Sequence, residues 1–395
     1  MELLKEVLEE IQPDESKIKK EVNDTLKKLN LTLKRNKITA KAITGGSIAK
    51  GTFLKGDHDC DVFVRFDYKK YKDETGGGEG KEAGEGGISD ILGKALEKAF
   101  GKGKVDRLHG SRDYYQMKDS IKYEIIPVLE IKKFKEAKNI TDCSPMHVLW
   151  VNKFPKMKKD IMLTKAFMKS AGVYGAESYV KGFSGHVVDI LTIYSKGFLN
   201  LLKQSQKWKT GQVIDYYNYH KGKAMMNINR SKTQSALIIV DPIDPYRNAS
   251  AVLSAEKFGQ FRKRAAEFLK KPSKEFFFAE RFDIEKIKKK AEGRKERLRL
   301  MIIDAKALDG KEDVVGAKLL KVLEFIESQL KQNDFNVIES GWNWDRAEKA
   351  VFWIMTSRED LPEMKTVEGP PVKLREYYEN FRKVHKDSQV FEKNG

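Results

Sequence analysis

The segment Gly45–Phe66, GGSIAKGTFLKGDHDCDVFVRF, limits the fold more than any other stretch of this chain. Its end, CDVFVRF, alternates like a strand, and side chains two apart on a strand share a face. Asp59 and Asp61 therefore project side by side, while Cys60, Val62 and Val64 pack on the opposite face. Such a strand needs a sheet with one face in a core and the other open to charge. Two carboxylates held this close repel each other and raise one pKa unless cations neutralise them. A divalent ion is the natural neutraliser, and hard Mg²⁺ takes oxygen ligands together with substrate phosphate. Upstream, Gly46-Ser47 opens a short helix, where glycine lets backbone N–H groups approach an anion closely. The segment reads as a triphosphate cradle beside a metal site.

Phosphoryl transfer with two metals commonly wants a further carboxylate on a neighbouring strand. Glu124 is the candidate, in SIKYEIIPVLEI (Ser120–Ile131) with Lys122 on its face; the competing reading is a charged residue on an open edge strand. Around these residues the pattern is mixed. Ile18, Val22, Leu26 and Leu29 recur at helical spacing after Pro13-Asp14, and Ile88–Phe100 is helical. Lys37–Ile43, Lys104–Leu108, Tyr114–Met117 and Ile121–Ile131 read as strands. The glycine-rich Thr75–Gly87 reads as a mobile loop inside this block. From about residue 154 helices dominate: one ends at Ala171-Gly172, Ser184–Leu202 is a long buried one, and Ser254 caps Ser254–Lys271. Ala236–Val240 is a short strand between them. After Pro272 the chain turns basic, with twelve Lys or Arg against six Asp or Glu over Lys270–Arg299. A third block follows, with strands at Arg297–Ala305, Phe335–Ile338, Ala350–Thr356 and Lys365–Val367 around a helix at Val314–Leu330.

The charge balance narrows the partners. An excess of +18 favours nucleic acid or an anionic membrane. No stretch approaches the ~18 to 20 apolar residues of a spanning helix, and the start is no signal sequence. Cys60 and Cys143 make neither a disulfide framework nor a zinc site alone, so a reducing, cytoplasmic setting is expected.

The Gly-Ser, the spaced Asp-x-Asp and the later carboxylate resemble the nucleotidyltransferase superfamily that includes DNA polymerase beta and poly(A) polymerases. The longer pattern is similar to the archaeal-type (class I) CCA-adding enzymes, tRNA nucleotidyltransferases. It continues through KNITDCSPMH (Lys138–His147), LTKAFMKSAGVYGAESYVKGFSGH (Leu163–His186), DPIDPYRNASAVLS (Asp241–Ser254) and MKTVEGPPV (Met364–Val372). The resemblance implies an α+β multidomain chain. Residues 1–150 would form a polymerase-beta-like palm, 151–271 a mostly helical nucleotide-binding domain, and 272–395 an α/β tRNA-binding region, shortened relative to the family because the chain ends at Gly395.

It also implies roles. Asp59, Asp61 and Glu124 would bind two Mg²⁺, and Ser47 and Lys50 would contact the triphosphate. Ser144 and His147 would line the nucleotide pocket, Lys165 and Tyr174 would contact its phosphates, and Arg247 would help read the base. Three positions depart from the family pattern: Glu124 for aspartate, Lys50 for arginine and Ser144 for threonine. The implied reaction adds C, C and A to a tRNA 3′ end from CTP and ATP. Lys288, Lys289, Lys290, Arg294 and Lys295 would follow the RNA backbone, or form a solvated helix face paired to Glu292 and Glu296. A homodimer is among the assemblies allowed. The competing functions are a poly(A) polymerase or oligoadenylate synthetase-like enzyme, and an inactive RNA-binding relative.

Overall fold

The structure, a computed structural model, describes residues 2–57, 59–74, 87–294, 298–357, 366–389 and 391. The loop expected at Thr75–Gly87 lies outside the described residues except for Gly87, as does Lys295.

The chain begins with α1 (Glu2–Ile11) and α2 (Glu15–Arg35), separated at Pro13. Asp14 accepts from the Ser16 backbone N–H and so caps α2, whose Val22, Leu29 and Leu33 form its buried stripe. Then come β1 (Ala40–Thr44), α3 (Gly46–Lys50), β2 (Asp59–Asp67), α4 (Tyr68–Tyr71) and α5 (Ile88–Phe100). Three further strands are β3 (Val105–Leu108), β4 (Tyr114–Lys118) and β5 (Lys122–Glu130). β1 starts three residues later than expected, because Lys37 takes a positive φ of 55° just past the end of α2. The five strands form one sheet, ordered β1-β2-β5-β4-β3. β2 and β5 are parallel, and the other pairs are antiparallel. α2 and α5 cover one face, where Cys60, Val62, Val64 and Phe66 of β2 are buried. Each buried side chain of Phe66's size stabilises by roughly 2–3 kcal/mol, so the inward face of β2 is fixed, and its other face carries Asp59, Asp61 and Arg65 around a buried Phe63.

A second core follows, built by α6 (Ser144–Asn152), α7 (Lys158–Ser170), α8 (Gly185–Tyr194) and α9 (Phe198–Ser205). Next are β6 (Gln212–Ile214), α10 (Ala224–Asn227), β7 (Leu237–Ile239) and α11 (Ala255–Lys270), the last capped by Ser254. The single helix expected over Ser184–Leu202 is two helices. Lys196 and Gly197 both take positive φ, 60° and 122°, and the Phe198 N–H is captured by Asp160 Oδ1 at 2.8 Å. The apolar run concealed this break because both halves are buried. Phe167 packs at the centre against the rings of Phe198 and Phe268, with centroids 5.5 and 5.7 Å away.

Both cores belong to one compact unit, Met1–Phe282 with Leu308–Lys318. A second unit, Asp283–Ala307 with Leu319–Gly395, holds α12 (Ile284–Glu292), β8 (Leu298–Lys306), most of α13 (Glu312–Gln332), β9 (Val337–Trp344), β10 (Lys349–Ser357) and α14 (Arg375–Val384). Its sheet is antiparallel in the order β8-β10-β9, with Phe352 and Ile354 fully buried. The strand expected at Lys365–Val367 is corrected: Thr366 and Val367 join no sheet, and Lys365 lies outside the described residues. Among the described residues, no helix is long and apolar enough to cross a membrane.

Candidate active site

The parallel register of β2 and β5 places Asp59 beside Lys122 and Asp61 beside Glu124. Lys122 Nζ lies 3.6 Å from Asp59 Oδ1 and 3.7 Å from Glu124 Oε1, so those two carboxylates face one cation. β4 supplies Gln116 opposite Glu124, and its Nε2 donates to Glu124 Oε1 at 2.8 Å. Burial, then the charge of Glu124, pushes the Asp61 carboxyl up to about 6; Asp59 adds to the rise, while Lys50 and Lys165 oppose it. The expected carboxylate triad therefore converges.

The backbone closes on this triad from β1. Gly45 N–H donates to the Asp61 carbonyl at 2.7 Å. Gly46 has φ +52°, and a Cβ there would stand 1.6 Å from Asp61 Oδ2. Only glycine allows both the conformation and the approach. Ser47 follows in the first turn of α3.

The donor set fits a hard divalent cation. Three carboxylates meet, one of them held back from ionising by burial and then by the charge of its neighbour, and a lysine ammonium stands between two of them where a more compact cation would compete.

Two cations approach from neighbouring elements. Lys50, at the end of α3, is buried and paired with Asp189 Oδ2 of α8 at 2.6 Å, instead of being free for the triphosphate as its expected role requires. Lys165 of α7 is also buried and donates to the Thr52 carbonyl at 2.9 Å; burial pulls its pKa down to about 8. Tyr174 is nearby, its phenol raised by burial first and by Asp189 next, with Lys169 Nζ 5.3 Å from the ring centroid.

His147 and Arg247 meet at a residue that sequence reasoning left unassigned. Asp241 is fully buried, and its carboxylate accepts from His147 Nε2 at 3.1 Å and from Arg247 Nη1 at 2.7 Å. A carboxylate only accepts, so His147 carries its proton on Nε2. The Ile243 N–H adds a bond of 2.8 Å to the same carboxylate. Burial alone would raise the Asp241 carboxyl, but the flanking His147 and His186 imidazoles hold it well below the usual range. His186 stacks on His147 with centroids 3.9 Å apart; burial, then His147, lowers its pKa to about 4, so it is neutral. Ser144, in the first turn of α6, is three residues before His147. The signal for Asp241 lay in DPIDPYR itself: an aspartate ending an apolar strand six residues before an arginine.

The basic residues expected along the RNA are partly committed elsewhere. Lys288 pairs with Glu285, and Lys290 and Arg294 both pair with Glu339.

Comparison with known proteins agrees with this layout. Residues 26–147 match a nucleotidyltransferase domain, 159–278 the second domain of tRNA nucleotidyltransferase, and 299–395 the C-terminal domain of CCA-adding enzyme. A cytoplasmic RNA terminal U-transferase superposes with a TM-score of 0.54 at 15% identity, covering 71% of this chain and 98% of that one, a likeness of fold alone. The CCA-adding enzyme of Methanocaldococcus jannaschii is 30% identical over 97% of this chain and 84% of its own length. That of Nanoarchaeum equitans is 32% identical over 88% of this chain and 82% of its own. With three successive domain matches and a converging carboxylate triad in the first of them, the chain belongs to the archaeal-type CCA-adding enzyme family.

Proposed function

We propose that this protein adds C, C and A stepwise to the 3′ end of tRNA from CTP and ATP, without a nucleic-acid template, and that Asp59, Asp61 and Glu124 are its metal-binding residues. The observation that carries the reading is the register that sets Asp61 beside Glu124 with Asp59 on the same face. When bound there, two Mg²⁺ ions would supply activation of the terminal 3′-hydroxyl and charge neutralisation on the triphosphate and departing pyrophosphate. The chain's own residues orient. Gln116 donates to Glu124 and so orients it, and Gly46 lets the backbone close on Asp61. Ser47 and Lys165 serve the phosphates, with Tyr174 beside them. Lys50 reaches the triphosphate only by leaving Asp189, an exchange that replaces one anionic partner by another. Ser144, His147 and Arg247 serve the base, and Arg247 offers a planar fork suited to a base edge.

A tRNA transcript lacking its last three nucleotides, incubated with CTP, ATP and Mg²⁺, is expected to gain C, C and A and then stop, read on a sequencing gel. A growing run of A would replace this reading by a poly(A) polymerase, and binding without extension would leave an inactive RNA-binding relative. The backbone approach yields a second prediction. Gly46→Ala is expected to lower the single-turnover rate at least about a hundredfold, because displacing a reacting group by ~1 Å costs that much. A rate within threefold of the parent, in a protein with unchanged melting, would remove Gly46 from the account.

A further inference from the structure

Between Lys203 and Lys232 the chain carries seven Lys or Arg and a single acid, Asp215. All seven cations are exposed, and none makes an ion pair among the described residues. This contrasts with Lys290 and Arg294, whose charge is spent on Glu339. Within the same stretch three tyrosines follow one another almost without interruption, YYNYH at 216–220. Tyr217 is 44% exposed and Tyr219 43%, with ring centroids 5.3 Å apart. Tyr246 is 62% exposed and meets His220 at 5.9 Å.

These rings are fastened to the cluster around Asp241. The buried Trp150 donates from Nε1 to Tyr217 Oη at 3.0 Å and packs edge-on to His186 at 6.4 Å. Tyr219 Oη donates to the Pro242 carbonyl at 2.9 Å, and His220 Nε2 donates to the Pro245 carbonyl at 2.6 Å. The turn that carries Asp241 and Arg247 therefore also holds the aromatic segment in place.

We propose that Tyr217, Tyr219 and Tyr246, flanked by Lys221, Lys223 and Arg230, form the surface on which the unpaired 3′ end of the RNA substrate lies before each addition. Exposed rings stack on bases whatever their identity, and loose cations beside them neutralise backbone phosphates; that combination is how single strands are held without sequence preference. The end that must lie there before the three additions is first the tRNA's own last base and then C, so the surface has to tolerate more than one end base. The Tyr217 and Tyr219 rings, fixed by hydrogen bonds to neighbouring elements, lose little freedom on binding. Unpaired lysines also disfavour a protein partner, since interface cores are depleted of lysine. The inference rests on the reading of the site as a tRNA nucleotidyltransferase, and it adds the place where the RNA end is held.

The test uses the full chain and a tRNA transcript lacking its last three nucleotides. Tyr219→Ala with Tyr246→Ala is expected to weaken RNA binding by about ten- to a hundredfold, whereas Tyr246→Phe, which keeps the ring, binds like the parent. A melting temperature close to the parent's checks that the alanine protein is folded. Lys221→Gln with Lys223→Gln is a second probe, removing charge without touching a ring. It should flatten the dependence of log affinity on log salt by about 1.4, at roughly 0.7 per phosphate contact on single strands. RNA affinity and salt slope both equal to the parent's would overturn the proposal and leave a protein-docking surface as the explanation of the exposed rings. Failure of the catalytic reading looks different: the parent would bind RNA, lose affinity with the alanine pair, and still extend nothing.

Discussion

Replacing Asp61 with asparagine is expected to stop nucleotide addition and, in the same protein, to raise thermal stability when no divalent metal is present. The loss follows from removing one anionic oxygen of the triad that faces Glu124 and Asp59. Metal-held charge stabilisation is worth several kcal/mol, so the fall should be at least about a thousandfold. The gain follows from burial of the Asp61 carboxyl, then from its crowding against Glu124. The folded Asp61 carboxyl titrates near 6 against an ordinary value of 3.8, so the folded state binds that proton more tightly than the unfolded one. Parental stability therefore falls as pH rises through the window between these values, and above it the ionised group costs up to about 3 kcal/mol. Asparagine carries no such cost and no such slope. Melting curves at pH 5 and pH 7.5, in EDTA and in Mg²⁺, separate the effects. Mg²⁺ should raise the melting temperature of the parent and leave the variant nearly unmoved. A variant that melts lower than the parent at pH 7.5 in EDTA would show that the ionised Asp61 does not destabilise the fold, and the argument for a cation there from its buried, crowded carboxyl would fall.

The triad was legible in the sequence because a strand converts spacing into direction. Asp59 and Asp61 had to share a face once Cys60, Val62 and Val64 demanded a core. Glu124 was readable as an outward residue, but its register against Asp61 is a property of the parallel pairing of β2 with β5, which local pattern does not encode. The same limit hid Asp189, 139 residues from the Lys50 it neutralises, and so hid the occupation of Lys50. Helix ends were legible where a side chain caps them, at Asp14 and Ser254. The break at Gly197 was missed because its cause, the Asp160 carboxylate, lies on another helix. Segment identities were carried by the family resemblance; the contacts among them, above all at Asp241, came only from the fold.

Asp241 gives the other large effect, with the opposite kinetic signature. Its two oxygens receive His147 Nε2, Arg247 Nη1 and the N–H of Ile243, and the Asp244 N–H lies 3.4 Å from the same Oδ1. Asparagine keeps the shape but offers one acceptor oxygen and two donor hydrogens, so at least one former partner meets a donor head-on. Breaking a buried, charge-assisted set in this way costs roughly 3–5 kcal/mol. Arg247 loses its counter-ion and His147 its fixed tautomer, and both are groups proposed to face the base, not the reacting phosphate. Asp241→Asn is therefore expected to lower stability, to raise KM for CTP and ATP about tenfold or more, and to blur the choice between them. The rate at saturating nucleotide should fall far less than in the Asp61 variant, because the triad is untouched. Urea unfolding together with KM and kcat for each nucleotide decides the matter. Unchanged KM values and CTP-to-ATP preference in a destabilised protein would reduce Asp241 to a structural residue, since lost packing alone has no reason to act on one base more than the other.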